Sequence, residues 1–505
     1  MHVAVLGSGL AGLTAAGLLA RKGHRVSLYE QHPDIGGVTS GIAKDGFHWD
    51  LGQMLIPDLG PGEPGRSVLE ELGISDQVEV MRGCRGNVFP DFAILRPDSC
   101  SGPYWRREFF KETFPEDAEG LDRYYEVYDR VHDLLGLNNQ SGLGVRLQLL
   151  IRMLRMRWVK NSNAEQFLDA FFSSPKLKAV FSHILADYST YPRDFPGMII
   201  PIINPEAAYD ERVPLEYGGH TPRSSWTFIR NGTRAMVDAI AGAVTRNGGE
   251  IHLGAEVTRI LVRNRRVTGI ELNGEKREDV DAVVASGGAR ELFGKLIDRE
   301  HLPAQFLRDH VDNLAVTSSV FMVHLGVDYD PSVHQNDQAL CYYYSTYEVE
   351  PNIRELEAGV YHEGRDGWVV YIPSKHSPEM APPGHQAVTI YTVAPDTLAE
   401  GSWAERAEEL GDRLVSYAEQ HLPGLAEHTV TRVVYTPEDF RRRTALGVHA
   451  FGGSPPRVDR TPPRHRTPIR GLWFVGGQSE VYGGVTGAMT SASKTAEMMS
   501  RRRPL

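Results

Sequence analysis

The first dozen residues constrain this chain most. The apolar run HVAVL at His2–Leu6 has the composition of a buried strand, and Gly7-Ser8-Gly9-Leu10-Ala11-Gly12 follows at once, before an Ala- and Leu-rich helical run at residues 13–22. A strand, a G-x-G-x-x-G turn and a helix in succession form the first half of a parallel βαβ unit. Gly7 allows the tight turn, Gly9 lets backbone N–H groups approach a pyrophosphate, and Gly12 lets the helix pack closely on the strand with its positive end toward the phosphates. A second strand at residues 25–29 ends in Glu30, eighteen residues after Gly12, where a carboxylate accepts hydrogen bonds from a ribose diol. Glu30 favours an unphosphorylated adenosine ribose.

The rest of the composition narrows the partner. A chain of 505 residues allows about three packing units and a sizeable core. The net charge of -11 argues against a nucleic-acid binder, which needs a broad basic face to displace counterions. Cys84, Cys100 and Cys341 form no C-x-x-C pair, so neither a disulfide framework nor a zinc site is expected, and no metal is assigned. The first apolar run is too short for a signal-peptide core or a membrane span, so the chain is expected to be cytoplasmic.

More glycine-marked segments follow. Gly36-Gly37 lies in EQHPDIGGVTSG, six residues after Glu30, and Phe47-His48-Trp49-Asp50-Leu51-Gly52 reads F-x-x-D-x-G. Residues 226–288 read as a helix opened by Thr233 and then short strands at 250–253, 257–262, 267–272 and 280–285. Residues 471–489, GLWFVGGQSEVYGGVTGAM, read as a strand, a tight turn and a helix entered through Gly483 and Gly484, whose positive end would face an electron-rich ring.

In these segments the chain resembles the flavoprotein superfamily of amine oxidases and phytoene desaturases, with a C-terminal spacing close to that of carotene isomerases and retinol saturases. The run Pro373-Ser374 through Pro382-Pro383-Gly384 is similar to a rigid turn of the phytoene desaturase branch. The resemblance implies an α/β fold in which a Rossmann-like FAD-binding domain of the glutathione reductase and amine oxidase type is interrupted by an α+β substrate domain with a mixed sheet. The FAD-binding parts are expected at residues 1–56, 226–288 and 438–505, and the substrate parts at 57–225, with a helical segment at 143–160, and 289–437. FAD contacts are implied for Gly7, Gly9, Leu10, Ala11, Gly12, Glu30, Gln31, Gly36, Gly37, Val38, Gly52, Gln53 and Met54 in the first part. Val257 is implied against the adenine, and Gly477, Gln478, Gly484 and Val485 in the last part. The chain departs from the family where Asn231-Gly232 replaces a double glycine, and where Gln478 and Ser479 replace an acid aimed at the ribityl chain, a role left to Glu480.

Between the cofactor segments, Leu147, Leu150, Ile151, Leu154 and Trp158 recur at helical spacing beside Arg146, Arg152, Arg155, Arg157 and Lys160. The stripe suits either a core helix with snorkelling arginines, the preferred expectation, or a helix lying on an anionic membrane at residues 146–160. Tyr342, Tyr343, Tyr344 and Tyr347 are expected to pack in the core or to line a pocket on one side. His220, in a glycine-bracketed loop, and Tyr482 are the candidate catalytic side chains, with a surface histidine the simpler reading of His220. The expected activity is FAD-dependent redox chemistry, by hydride transfer at flavin N5, on a long apolar polyene or isoprenoid. It needs alignment and a dry tunnel more than strong acids and bases. Reduction or reductive cyclisation of a polyene polyketide is the alternative; an amine oxidase or a prenyl-binding escort protein fits less well.

Overall fold

The computed structural model describes residues 1–138, 142–216, 225–444, 446–481 and 483–501. Its first layer is a five-stranded parallel sheet in the order Glu250–Leu253, Arg25–Glu30, His2–Leu6, Ala282–Ala285, Leu472–Phe474. Three distant stretches of sequence thus share one sheet. The central strands are buried on both faces, as their unbroken Val, Leu and Ala runs require. On one face pack the helices Leu10–Arg21, Gly232–Arg246 and Val485–Ser500. The other face carries an antiparallel three-stranded sheet, Val257–Arg263, Arg266–Leu272 and Lys276–Asp279.

The second body is a seven-stranded mixed sheet, ordered Thr429–Tyr435, Ser319–Val327, Gln386–Ala394, Gly367–Tyr371, Leu340–Tyr344, Gly86–Val88, Ala93–Ile94. All its pairings are antiparallel except that of Leu340–Tyr344 with Gly86–Val88. Period-two alternation sorts the tyrosines there: Tyr343 stacks on buried Trp368 at 4.1 Å, whereas Tyr342 faces a cavity. Helices between residues 105 and 203 enclose a separate core dominated by Phe and Tyr. The α/β fold with a cofactor sheet and a mixed second sheet is the one expected.

One expectation is corrected. The basic amphipathic segment breaks at Met156 into two helices, Leu143–Arg155 and Arg157–Asn161. Its apolar stripe is not in the core: Leu147 is 58% exposed, Leu154 62% and Trp158 47%. Leu149, Met156 and Val159 make inward contacts, and half-exposed Trp158 lays its ring against Phe167 and Phe171. No helix among the described residues is long and apolar enough to cross a membrane.

Candidate cofactor and substrate cavity

The turn after the first strand is built by backbone proximity. Gly7 takes a φ of +88°, and a β-carbon on Gly12 would stand 1.9 Å from the Gly7 carbonyl oxygen, so strand and helix touch backbone to backbone. A β-carbon on Gly9 would meet nothing within 4 Å. Gly9 therefore faces open space at the positive end of the helix Leu10–Arg21. The Gly36-Gly37 turn closes on it, with Gly36 N–H donating to the Ser8 carbonyl at 3.0 Å. Glu30 is held by three donors: Ser8 N–H and hydroxyl, each at 2.7 Å, reach one oxygen, and His32 N–H at 2.8 Å reaches the other.

These groups line a cavity of about 1260 Å³. That exceeds the roughly 300–1,000 Å³ of a pocket for one small ligand, and so leaves room for a second molecule beside a dinucleotide. Gly7, Gly9, Leu10, Ala11, Glu30, Gln31, Gly36, Gly37 and Val38 line it from the first segment, followed by Gly52, Gln53 and Met54. Val257 reaches it from the second segment, and Gly477, Gln478, Gly484 and Val485 from the last. Gly12 is not in the wall; its part is the packing just described. Tyr482 and His220 lie outside the described residues.

The helix Val485–Ser500 is entered through Gly484, as expected, with a φ of +91° there. The first N–H of that helix donates to the side-chain oxygen of Gln53 at 2.9 Å. Gln478 likewise accepts the Ala289 N–H at 2.9 Å, and Glu480 turns toward His465 and Lys494 and is absent from the wall. Asp50, buried, accepts the Thr233 N–H at 2.7 Å and hydroxyl at 2.8 Å, capping the helix Gly232–Arg246. Asn231 precedes it with a φ of +61°, a left-handed conformation that asparagine tolerates, which explains how it stands in a double glycine's place.

Arg443 is a wall residue that no motif announced. Its Nε donates to the Gly37 carbonyl at 2.7 Å and its Nη2 lies 3.0 Å from Asp34, bringing a guanidinium to the glycine turn. The cavity is also lined by the aliphatic side chains Leu135, Ile184, Ile199, Ile202 and Ile203, and by the aromatic Trp226, Tyr342, Tyr391 and Phe451. Two charged side chains, Arg85 and Asp187, stand among them.

The donors and shape fit FAD. Gly9 leaves a vacant approach at a helix N-terminus for a pyrophosphate, Glu30 offers a carboxylate to a ribose, and the cavity continues past both. Glu30→Ala is expected to weaken FAD retention about tenfold or more, as flavin fluorescence released on dialysis will show, because a hydrogen bond to a charged acceptor contributes about 1.5–3 kcal/mol.

Comparison with known proteins agrees. The model of the family described as flavin containing amine oxidoreductase matches residues 10–500. Prolycopene isomerase 1, chloroplastic, of an Oncidium hybrid cultivar is 24% identical over 98% of this chain and 84% of its own length. The 4,4'-diapophytoene desaturase (4,4'-diaponeurosporene-forming) of Staphylococcus haemolyticus is 23% identical over 99% of this chain and 98% of its own. An oxidoreductase of Methanosarcina mazei shares the fold, with a TM-score of 0.63 at 19% identity across 98% of this chain and 100% of that one. With a family match along nearly its whole length and a cavity shaped for the dinucleotide, the chain belongs to the flavin-containing amine oxidoreductase family and is an FAD-dependent oxidoreductase.

Proposed function

We propose that this enzyme desaturates, saturates or isomerises carbon–carbon bonds of a long, largely apolar polyene or isoprenoid. The observation that carries the reading is that one cavity lined by the glycine turns and Glu30 is lined as well by Leu135, Ile184, Ile199, Ile202 and Ile203, an aliphatic wall that a dinucleotide does not require. Branched aliphatic walls favour an extended hydrocarbon by burial at about 25 cal/mol per Å². Relatives named as a prolycopene isomerase and a diapophytoene desaturase support the same substrate class. When bound, FAD supplies hydride acceptance or donation at N5. The chain's own part is to align the substrate and to exclude water, with Trp226, Tyr342, Tyr391 and Phe451 forming aromatic walls of the cavity.

The division of labour proposed is that residues 1–56, 226–288 and 438–505 hold the cofactor while 57–225 and 289–437 hold the substrate. The FAD contacts assigned to the glycine turns, Glu30, Gln53, Val257 and Gln478 belong to the same proposal.

The substrate's route is part of it too. Half of the exposed large apolar side chains among the described residues fall within residues 147–158: Leu147, Leu150, Ile151, Met153, Leu154 and Trp158. Arg146, Arg155, Arg157 and Lys160 share that exposed surface. Arg152 pairs with Asp133 at 3.3 Å, on the helix Ala118–Asn138 that also supplies Leu135 to the aliphatic wall. A basic, apolar helix beside an element of the cavity wall suits an anionic bilayer from which an apolar chain enters. Incubation of the holoprotein with candidate polyenes, followed by chromatography and mass spectrometry, tests the reaction class. Loss or gain of a hydrogen pair, or a geometric isomer of unchanged mass, is expected; polyenes left untouched, with a primary amine oxidised in a parallel incubation, would refute it.

A further inference from the structure

The cavity holds two charged groups that a plain hydrocarbon would leave unused. Arg85 is buried among aromatic rings, its guanidinium 5.1 Å from Tyr209, 5.5 Å from Trp226 and 5.9 Å from Tyr342. Nη2 donates to the Ile203 carbonyl at 3.1 Å, and Nε is buried without a hydrogen-bond partner. Nearby Arg106, on the Tyr209 ring at 3.7 Å, is already matched by Glu206 at 3.4 Å. Asp187 stands in the same cavity wall and feels the Arg85 charge, yet no ion pair within 4.0 Å joins the two. Burial pushes the Asp187 carboxyl up to about 7 while the Arg85 charge draws it down.

The backbone holds Asp187 in place. Residues 183–190 form a tight bend, closed by Thr190 N–H to the Leu185 carbonyl at 3.2 Å. Ser189 takes a left-handed φ of +48°, and its hydroxyl oxygen accepts the Ser318 N–H at 2.9 Å, tying the bend to the mixed sheet. A non-glycine residue held in this conformation is over-determined by its surroundings, and here it presents Asp187 and Tyr188 to the cavity.

We propose that Arg85 and Asp187 form a polar station that recognises a hydroxyl group on an otherwise apolar chain. The proposal rests on the reading of the cavity as an apolar-chain site and names its substrate more narrowly. A hydroxyl both donates and accepts, so it donates to the Asp187 carboxylate while accepting from the Arg85 guanidinium. A methyl terminus answers neither group, a carboxylate meets the like charge of Asp187, and an ammonium meets that of Arg85. The pair thus selects for an alcohol and against the amines that the family's name suggests.

The test uses the FAD-loaded protein above pH 8, where the Asp187 carboxyl is ionised, and three fluorescent probes sharing one conjugated tetraene chain: parinaryl alcohol, parinaric acid and the parent hydrocarbon. Binding is read by energy transfer from protein tryptophan to the tetraene. The alcohol is expected to bind about tenfold or more tighter than either of the others. Asp187→Asn, which keeps the side chain's shape and leaves Arg85 uncompensated, is expected to reverse the order so that the acid overtakes the alcohol. The double variant Asp187→Leu/Arg85→Met removes both charges together, which buried pairs tolerate better than loss of one. It is expected to retain FAD and to bind hydrocarbon and alcohol alike. Equal or tighter binding of the hydrocarbon by the unmodified protein overturns the station and leaves the apolar-chain reading standing. An alcohol preference that survives in the double variant also overturns it. If that variant fails to load FAD, the Asp187→Asn order decides alone. Failure of all three probes to bind refutes the apolar-chain reading itself.

Discussion

Gly9→Val is expected to fold and lose its flavin, whereas Gly12→Val is expected not to fold. The two glycines sit three residues apart in one motif, and their surroundings differ completely. Gly9 has a φ of −60°, which valine adopts, and a β-carbon there enters space that no protein atom occupies within 4 Å. The fold is spared, and the added side chain stands where the pyrophosphate must approach the backbone. FAD affinity is expected to fall on the order of a hundredfold or more, about 2.7 kcal/mol. A β-carbon on Gly12 would overlap the Gly7 carbonyl oxygen at 1.9 Å and lie 3.0 Å from the Ser286 hydroxyl. The Gly7 carbonyl is backbone and cannot yield, so a loss above about 4 kcal/mol is expected, the scale reserved for disrupted cores. Circular dichroism and flavin absorbance read both outcomes. A Gly9→Val protein that keeps full FAD occupancy contradicts the cradle.

The second large effect is expected at the membrane. The unmodified protein is expected to bind vesicles containing anionic lipid and to be released by salt, since each basic residue near such a surface contributes about 1 kcal/mol, screened over a Debye length of roughly 10 Å at 0.1 M. Replacing Arg146, Arg155 and Arg157 by glutamine removes about 3 kcal/mol, on the order of a hundredfold in partitioning. All three side chains are exposed on the surface, so the fold should be unaffected. Turnover of liposome-embedded polyene should slow while turnover of detergent-solubilised polyene is kept. Equal loss in both assays would point to damaged packing, and no vesicle binding by the unmodified protein would remove the membrane route.

What could be read from sequence, and what could not, follows from how local each signal is. The G-x-G-x-x-G turn, Glu30 and the Gly36-Gly37 pair lie within one short stretch, and backbone approach to a dinucleotide demands glycine at fixed spacing, so sequence alone points to the cavity wall where the cradle is proposed. The centre of the parallel sheet is legible for a similar reason, because His2–Leu6, Ala282–Ala285 and Leu472–Phe474 are apolar runs beside glycines. The 143–160 segment shows the limit. Periodicity reveals an apolar stripe but not what it faces; Leu149, Met156 and Val159, off that stripe, hold the helices to the core. Arg443 and the pair of Arg85 and Asp187 carry no local signal. Arg85 leads into the short strand Gly86–Val88 and Asp187 sits in a bend about a hundred residues later, and only the fold brings them to one cavity. Gln53, assigned from resemblance as a flavin contact, also accepts the first N–H of a helix more than four hundred residues away, a pairing that spacing cannot express.

The central claim is that one cavity holds FAD and an apolar chain together, so that electrons pass between them. The most direct measurement is the visible spectrum of the purified holoprotein, mixed without oxygen with a saturated-segment polyene in one cell and, after photoreduction, with its desaturated counterpart in another. The account predicts that the oxidised flavin bands are bleached in the first cell or restored in the second, with the polyene spectrum shifting in step. Flavin bands unmoved by any polyene in either cell, yet bleached by a primary amine, would contradict it.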